Sequence, residues 1–331
     1  GGDHVGASLP EDRHRNRKDR RVHRIAVVLT TDLDQSASHR KAAEEVDRAS
    51  LARVDVAEIP VHEQPLGRAE GPLEEKVFLW ETPEGEIAAV LNAEGKGTAF
   101  LQMRPEFRSE ELEDEMIGVA EERLWTISSR DDRQRVGIWA HEGDETREGI
   151  LERRGFRVRH EATMHDRWMS LEDGIPEPVL PKGYTVRPMG VGIELLDRCY
   201  VSGLAFHPDN PAQAHENRED VTWYHNIQKA PLYRRDLDIV AIAPDASVAS
   251  FCTIWFDDIT LTAACEPVAT APAHQRKGLA KACIHEGLRR AREMGATLGF
   301  VGSGEEGAHR CYASAGLKDY LVSQMWIKEL D

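Results

Sequence analysis

The sequence predicts an α+β chain in which one domain occurs twice. Three observations carry this: a pair of matching β-hairpins, a matching strand, proline and helix after each, and a near-constant spacing between the two sets. Apolar runs at Val77-Phe78-Leu79-Trp80 and Ile87-Ala88-Ala89-Val90-Leu91 flank the turn residues Thr82-Pro83-Glu84-Gly85. In the same way Ile239-Val240-Ala241-Ile242 and Val248-Ala249-Ser250-Phe251-Cys252 flank Pro244-Asp245-Ala246-Ser247. The hairpin prolines Pro83 and Pro244 lie 161 residues apart, Pro105 and Pro272 lie 167 apart, and Gly155-Phe156 and Gly316-Leu317 return to 161. The halves stay in register to within a few residues.

Taken in order, residues 1–21 are rich in Gly, His and charge. Arg13, Arg15, Arg17, Lys18, Arg20 and Arg21 read as a flexible, solvated basic arm without the apolar stretch of a secretory signal. Residues 22–175 make the first domain: the hairpin, a strand at Phe100-Leu101-Gln102-Met103, Pro105, an amphipathic helix over 110–125, a strand over 136–140, a short helix and Gly155-Phe156. Gly174-Ile175-Pro176-Glu177-Pro178 and Pro181-Lys182-Gly183 interrupt all periodicity, which places a linker at 176–183. Residues 184–331 repeat the order. A strand over 261–270 and Pro272 lead into a helix over 279–294, whose Ala282, Cys283, Leu288 and Ala291 supply a buried stripe, and a strand over 297–301 follows.

At 331 residues the chain is long enough for two cores. Its 42 basic and 58 acidic residues give a formal net charge of -16, a field that repels phosphate backbones, so nucleic acid is a poor partner. No run approaches the roughly 18 apolar residues of a membrane span, and no membrane partner is expected. The five cysteines, Cys199, Cys252, Cys265, Cys283 and Cys311, are odd in number and lack Cys-x-x-Cys spacing. This favours a reducing, cytoplasmic setting over a disulfide scaffold or zinc ribbon.

The informative segment runs from Glu266 to Lys281. A strand ends at Thr270, a proline turns the chain, and Gly278 and Ala280 open a helix with Arg276, Lys277 and Lys281 around them. Small residues at a helix N-terminus leave unpaired N–H groups and a positive dipole end for a pyrophosphate. The segment is not a nucleotide-triphosphate loop, because Gly-x-x-x-x-Gly-Lys-[Ser/Thr] is absent. Gly302-Ser303-Gly304-Glu305-Glu306-Gly307 satisfies the dinucleotide pattern Gly-x-Gly-x-x-Gly, but Glu305 and Glu306 would oppose a pyrophosphate and too little chain follows for a doubly wound sheet.

The run Gln275-Arg276-Lys277-Gly278-Leu279-Ala280 resembles the Gln/Arg-x-x-Gly-x-Gly/Ala signature of the GNAT superfamily of acyl-CoA-dependent N-acyltransferases. Val268-Ala269-Thr270 before it and Ala308-x-x-x-Tyr312-x-x-x-Gly316 after it match in order and spacing. The resemblance covers 184–331 and implies two tandem GNAT-like domains, each a mixed, mostly antiparallel sheet flanked by helices. It further implies a pantetheine arm lying along Val268, Ala269 and Thr270, a pyrophosphate held by Gln275, Arg276, Lys277, Gly278, Leu279, Ala280 and Lys281, and Tyr312 as proton donor to the thiolate. Glu305 stands where the family often has Asn, and Leu317 where it has Phe. No metal is implied.

An amine attacks a thioester only when unprotonated, so a base is needed. Glu266 is the first candidate, since alternation would put it on the face of Val268; Asp257 and Asp258 come second. A strand N–H near Ala269 would receive the oxyanion. Aromatic groups including Trp223 and Trp255 would meet the acceptor. In the first half, aligning Pro105 on Pro272 sets Arg108, Glu111 and Glu113 against Gln275, Gly278 and Ala280, and Leu151 falls under Tyr312. That copy therefore reads as degenerate. The expected activity is transfer of an acetyl group from acetyl-CoA to an amine-bearing acceptor by direct attack in a ternary complex. The alternatives are another acyl group, a hydroxyl acceptor, or a non-catalytic acyl-CoA-binding interaction module. A homodimer is compatible with this reading.

Overall fold

The computed structural model describes residues 52–55, 75–93, 97–128 and 131–330. The basic arm at 1–21 lies outside the described residues. The first half contains β1 (Ala52–Asp55), β2 (Val77–Glu81), β3 (Ile87–Ala93), β4 (Thr98–Met103), α1 (Glu110–Arg123), β5 (Thr126–Ile127), β6 (Gln134–His141), α2 (Glu145–Arg153) and β7 (Arg157–Ser170). The second contains β8 (Thr185–Pro188), α3 (Ile193–Phe206), α4 (Pro211–Glu219), α5 (Thr222–Ile227), β9 (Asp238–Ile242), β10 (Val248–Asp257), β11 (Thr262–Thr270), α6 (Leu279–Glu293), β12 (Leu298–Ser303), α7 (Glu306–Ser314) and β13 (Lys318–Leu330).

Both expected hairpins form, β2 with β3 and β9 with β10. Gly155 and Gly316 follow α2 and α7 with φ of 85° and 98°. At these positions the chain must turn left-handed to leave the helix, which a side chain would oppose.

The described strands form one continuous sheet in the order β1-β2-β3-β4-β6-β13-β7-β12-β11-β10-β9-β8, with β5 on β6. The final strands are exchanged between the halves. β7 pairs with β12, and β13 pairs with β6, while β7 and β13 pair with each other at the join. Side chains follow the strands: Trp326 of β13 packs in the first-half core with Ile117 and Ile138, and Leu171, just after β7, packs in the second-half core with Leu288 and Ala263. The expected linker at 176–183 lies between β7 and β8, and each sheet half is completed by a strand from the other side of it.

The two parallel strand pairs separate after short contacts. β4 and β6 pair only at Thr98↔Gly137 and Ala99↔Ile138, and β11 and β12 only from Thr262↔Leu298 to Ala264↔Phe300. Beyond these points the strands splay, leaving unpaired edges in the middle of the sheet. All five cysteines are free thiols, four of them buried. Among the described residues no helix is long and apolar enough to cross a membrane.

Candidate active site

The splay between β11 and β12 leads to the N-terminus of α6. Three residues of 3₁₀ helix, Pro272–His274, turn the chain, and two left-handed residues follow, Arg276 at φ 62° and Gly278 at φ 77°. Gly278 is the N-cap of α6; it offers no side-chain cap, and a Cβ built on it would meet nothing within 4 Å. Among the described residues no backbone carbonyl accepts from the amides of 276–281. The result is an open set of donors at the positive end of a 15-residue helix, which suits a diphosphate.

The basic side chains around this cradle divide. Lys277 Nζ is held beside it by Tyr184 Oη and Ala273 O, each at 3.1 Å, and Tyr184 Oη meets His274 Nδ1 at 2.9 Å. Gln275 Nε2 reaches Thr270 O at 3.5 Å. Lys281 turns away, its Nζ donating to Ser314 O at 2.6 Å, so its side chain closes α7 and only its amide faces the cradle.

Strand parity narrows the expected oxyanion donor near Ala269 to its neighbours. Ala271 N donates to Ala249 O at 2.9 Å, and Ala269 stands opposite Phe251 in the same ladder. The two-residue period turns the Ala269 N–H toward β10 and turns those of Val268 and Thr270 to the other edge, where β12 has departed. Val268 and Thr270, not Ala269, present donors to the splay.

A bulge also breaks the alternation used to place Glu266. The β10–β11 register shifts between Cys252↔Val268 and Ile254↔Cys265, putting an extra residue into β11 around Glu266-Pro267. Cys265 and Val268, three residues apart, pack against one cluster. Alternation therefore does not put Glu266 on Val268's face. The Glu266 side chain is exposed, yet surrounding protein desolvates its carboxyl and raises its pKa. Its backbone is pinned by Trp255, whose Nε1 donates to Glu266 O at 2.6 Å.

Tyr312 lies on α7, 6% exposed, in the cluster that holds Cys252, Cys265, Cys283 and Leu279 at the start of α6. Burial, reinforced by nearby Cys252, Cys311, Cys265 and Glu266, pushes its pKa upward, so it stays a phenol through the neutral range. Asp257 and Asp258 are placed differently from expectation. Asp257 accepts from Ile259 N at 3.0 Å and Thr260 Oγ1 at 2.7 Å, closing the β10–β11 turn at the end of β11 remote from Thr270. Both aspartates belong to that turn, away from the Val268–Thr270 edge.

The sheet face opposite α6 carries a network that the sequence did not single out. Asp238, fully buried on β9, accepts from Tyr233 Oη at 2.8 Å, Thr253 Oγ1 at 3.1 Å and Tyr224 Oη. Arg198 of α3, also fully buried, donates to Thr253 Oγ1 at 3.2 Å and is sandwiched between the rings of Tyr224 and Phe251, each 3.9 Å from its guanidinium carbon. Trp223, Tyr224, Tyr233 and Trp255 form a ladder of edge-on rings ending at Glu266's carbonyl. Trp223 and Trp255 are thus two rungs of one wall. The missed signal was one polar residue facing inward on each of two adjacent strands, Asp238 and Thr253, which pair directly.

The first half shows what closes such a site. Its helix α1 is capped by Ser109, whose Oγ accepts from Leu112 N at 3.2 Å, and three acids, Glu110, Glu111 and Glu113, fill its first turn. Matching the two N-caps sets Ser109 against Gly278 and leaves the first half two residues short, lacking any counterpart of the left-handed Arg276. The alignment through the prolines is thus off by two beyond the 3₁₀ turn. Glu113 falls under Ala282 rather than Ala280, and it is fully buried between arginines instead of facing an open cradle. Leu151, under Tyr312, is fully buried and has no hydroxyl.

Residues 194–317 match the acetyltransferase (GNAT) family model. Over that segment the chain is similar to GNAT acetyltransferases. The GNAT fold extends over both halves in solved structures. The chain resembles a GCN5-related N-acetyltransferase from Sphaerobacter thermophilus at 17% identity and TM-score 0.57, covering 78% of this chain and 82% of that one. A tandem GNAT protein from the clavulanic acid biosynthesis pathway follows at 15% and 0.55, covering 76% and 82%. A GCN5-related N-acetyltransferase from Kribbella flavida follows at 13% and 0.51, covering 72% and 86%. No curated protein matches the sequence. The chemistry of the GNAT family is acyl transfer from an acyl-CoA.

Proposed function

We propose that this GNAT domain transfers an acetyl group from acetyl-CoA to an amine by direct attack in a ternary complex. The observation that carries the reading is the uncapped, left-handed entry to α6, with open amides from Arg276 to Lys281 beside a splayed β11 edge. Those amides would hold the diphosphate, Gln275 and Lys277 would border it, and the Val268 and Thr270 edge would pair with the pantetheine amides. The acetyl-CoA thioester supplies the activated acyl group.

The roles of this chain's residues follow from placement. Glu266, accessible but desolvated, is suited to take a proton from an ammonium group, because a raised carboxyl pKa brings acid and base closer in strength. An N–H of the splayed edge would stabilise negative charge growing on the thioester oxygen. Tyr312, kept protonated by burial, would donate to the departing sulfur. The aromatic wall of Trp223, Tyr233 and Trp255 near a carboxylate suits an amine that is cationic before it reacts. The test is thiol release from acetyl-CoA with an amine panel. Release that depends on the amine and is lost in Tyr312→Phe supports the reading. Coenzyme binding without release across the panel would instead favour a non-catalytic acyl-CoA-binding module.

A further inference from the structure

We propose that the first half contains a buried carboxylate-binding site whose resident ligand is the chain's own Glu113. This inference stands apart from the acyl-transfer reading and concerns the copy without an open cradle. Glu113 is 0% exposed, and its two oxygens meet the Nε edges of two arginines, Arg108 on one side and Arg147 at 2.9 Å on the other.

Each arginine is anchored independently of Glu113. Arg108 Nη2 bonds both oxygens of Asp144 at 2.6 Å, and Asp144 itself is fixed as N-cap of α2, accepting from Arg147 N at 3.2 Å. Arg147 Nη1 reaches Trp139 O at 3.4 Å, the first β6 carbonyl beyond the last residue paired with β4. The receptor is thus built from α1's approach, α2 and the splayed strand, with contacts to Asp144 and Trp139 that do not involve the guest.

Matched N-cap to N-cap, the second half has Ala282 where the first has Glu113, and Ala308 where it has Arg147. The open copy has two alanines at this junction, and the closed copy has a guest carboxylate and its host. Removing Glu113 would leave the buried Arg147 and the half-buried Arg108 with only Asp144 between them, a poorly compensated charge that the interior penalises. Glu113→Ala deletes a CH2–COO⁻ fragment, which is acetate less one hydrogen.

The experiment is thermal unfolding of the full-length Glu113→Ala chain in sodium acetate, sodium chloride and acetamide, with the wild type in parallel. The substitution should lower Tm by about 5–15 °C. Acetate should restore much of that loss saturably, as a ligand of the native state does, with acetamide and chloride ineffective and the wild type unmoved. Equal effects of acetate and acetamide, or an acetate response as large in the wild type, would overturn the proposal. If the variant does not accumulate in soluble form, refolding yield in the same three solutes carries the same expectations. Coenzyme affinity measured on the same samples reports separately on the second-half cradle, so the two readings can fail independently.

Discussion

Gly278→Glu tests the cradle most directly. Gly278 sits at φ 77° and ψ 12°, where a residue with a Cβ is disfavoured by about 1–2 kcal/mol. No atom lies within 4 Å of the added Cβ, so backbone strain and charge are the expected consequences, without a clash. A carboxylate about 5 Å from a coenzyme phosphate charge would raise its energy by roughly 1–3 kcal/mol for effective dielectrics of about 80 to 20. Coenzyme A should therefore bind roughly 5- to 150-fold more weakly. Titration calorimetry at two ionic strengths measures this, and the deficit should shrink as salt rises. Gly278→Ala has the strain without the charge and should lose clearly less. Unchanged coenzyme affinity in the folded Gly278→Glu chain would refute the cradle, and an equal loss in both variants would refute its electrostatic basis.

Three further outcomes are expected. Tyr312→Phe should lower kcat by roughly 100-fold or more while leaving coenzyme affinity near wild type, which steady-state kinetics and calorimetry separate. Glu266→Gln should abolish the acid limb of the pH–rate profile. Because the folded state raises this carboxyl's pKa, the stability it contributes is present below the unfolded value and is lost as pH rises through the folded one. The glutamine variant should therefore melt higher than wild type at neutral pH, with the gap closing in acid. Asp238→Ala should destabilise the fold by about 3–5 kcal/mol in chemical denaturation, because Tyr224, Tyr233 and Thr253 lose a common acceptor and Arg198 loses the nearby carboxylate.

The cradle was legible because it is local. A turn proline, small residues at a helix start and flanking basic groups act over a few consecutive positions, and strand-to-helix order survives in any context. The oxyanion donor and the base were harder, since a single extra residue around Glu266-Pro267 resets which side each later residue faces. Asp257 has the right chemistry for a cleft base but closes a turn, which composition does not distinguish.

Length, charge, the duplicated element order and the residues of the α6 entry all follow from the linear chain, because backbone propensity and short-range sterics act between neighbours. The partners of β7 and β13 do not. Alternation records which face of a strand is buried but not which neighbour it pairs with, and in a duplicated chain the two terminal strands are near-equivalent candidates for either sheet half. The exchange, the buried meeting of Arg198 with Asp238's network, and the capture of Glu113 by Arg108 and Arg147 depend on contacts between distant segments. Such contacts are chosen by packing and by the need to pair every buried charge, and they exist only once the chain has closed on itself.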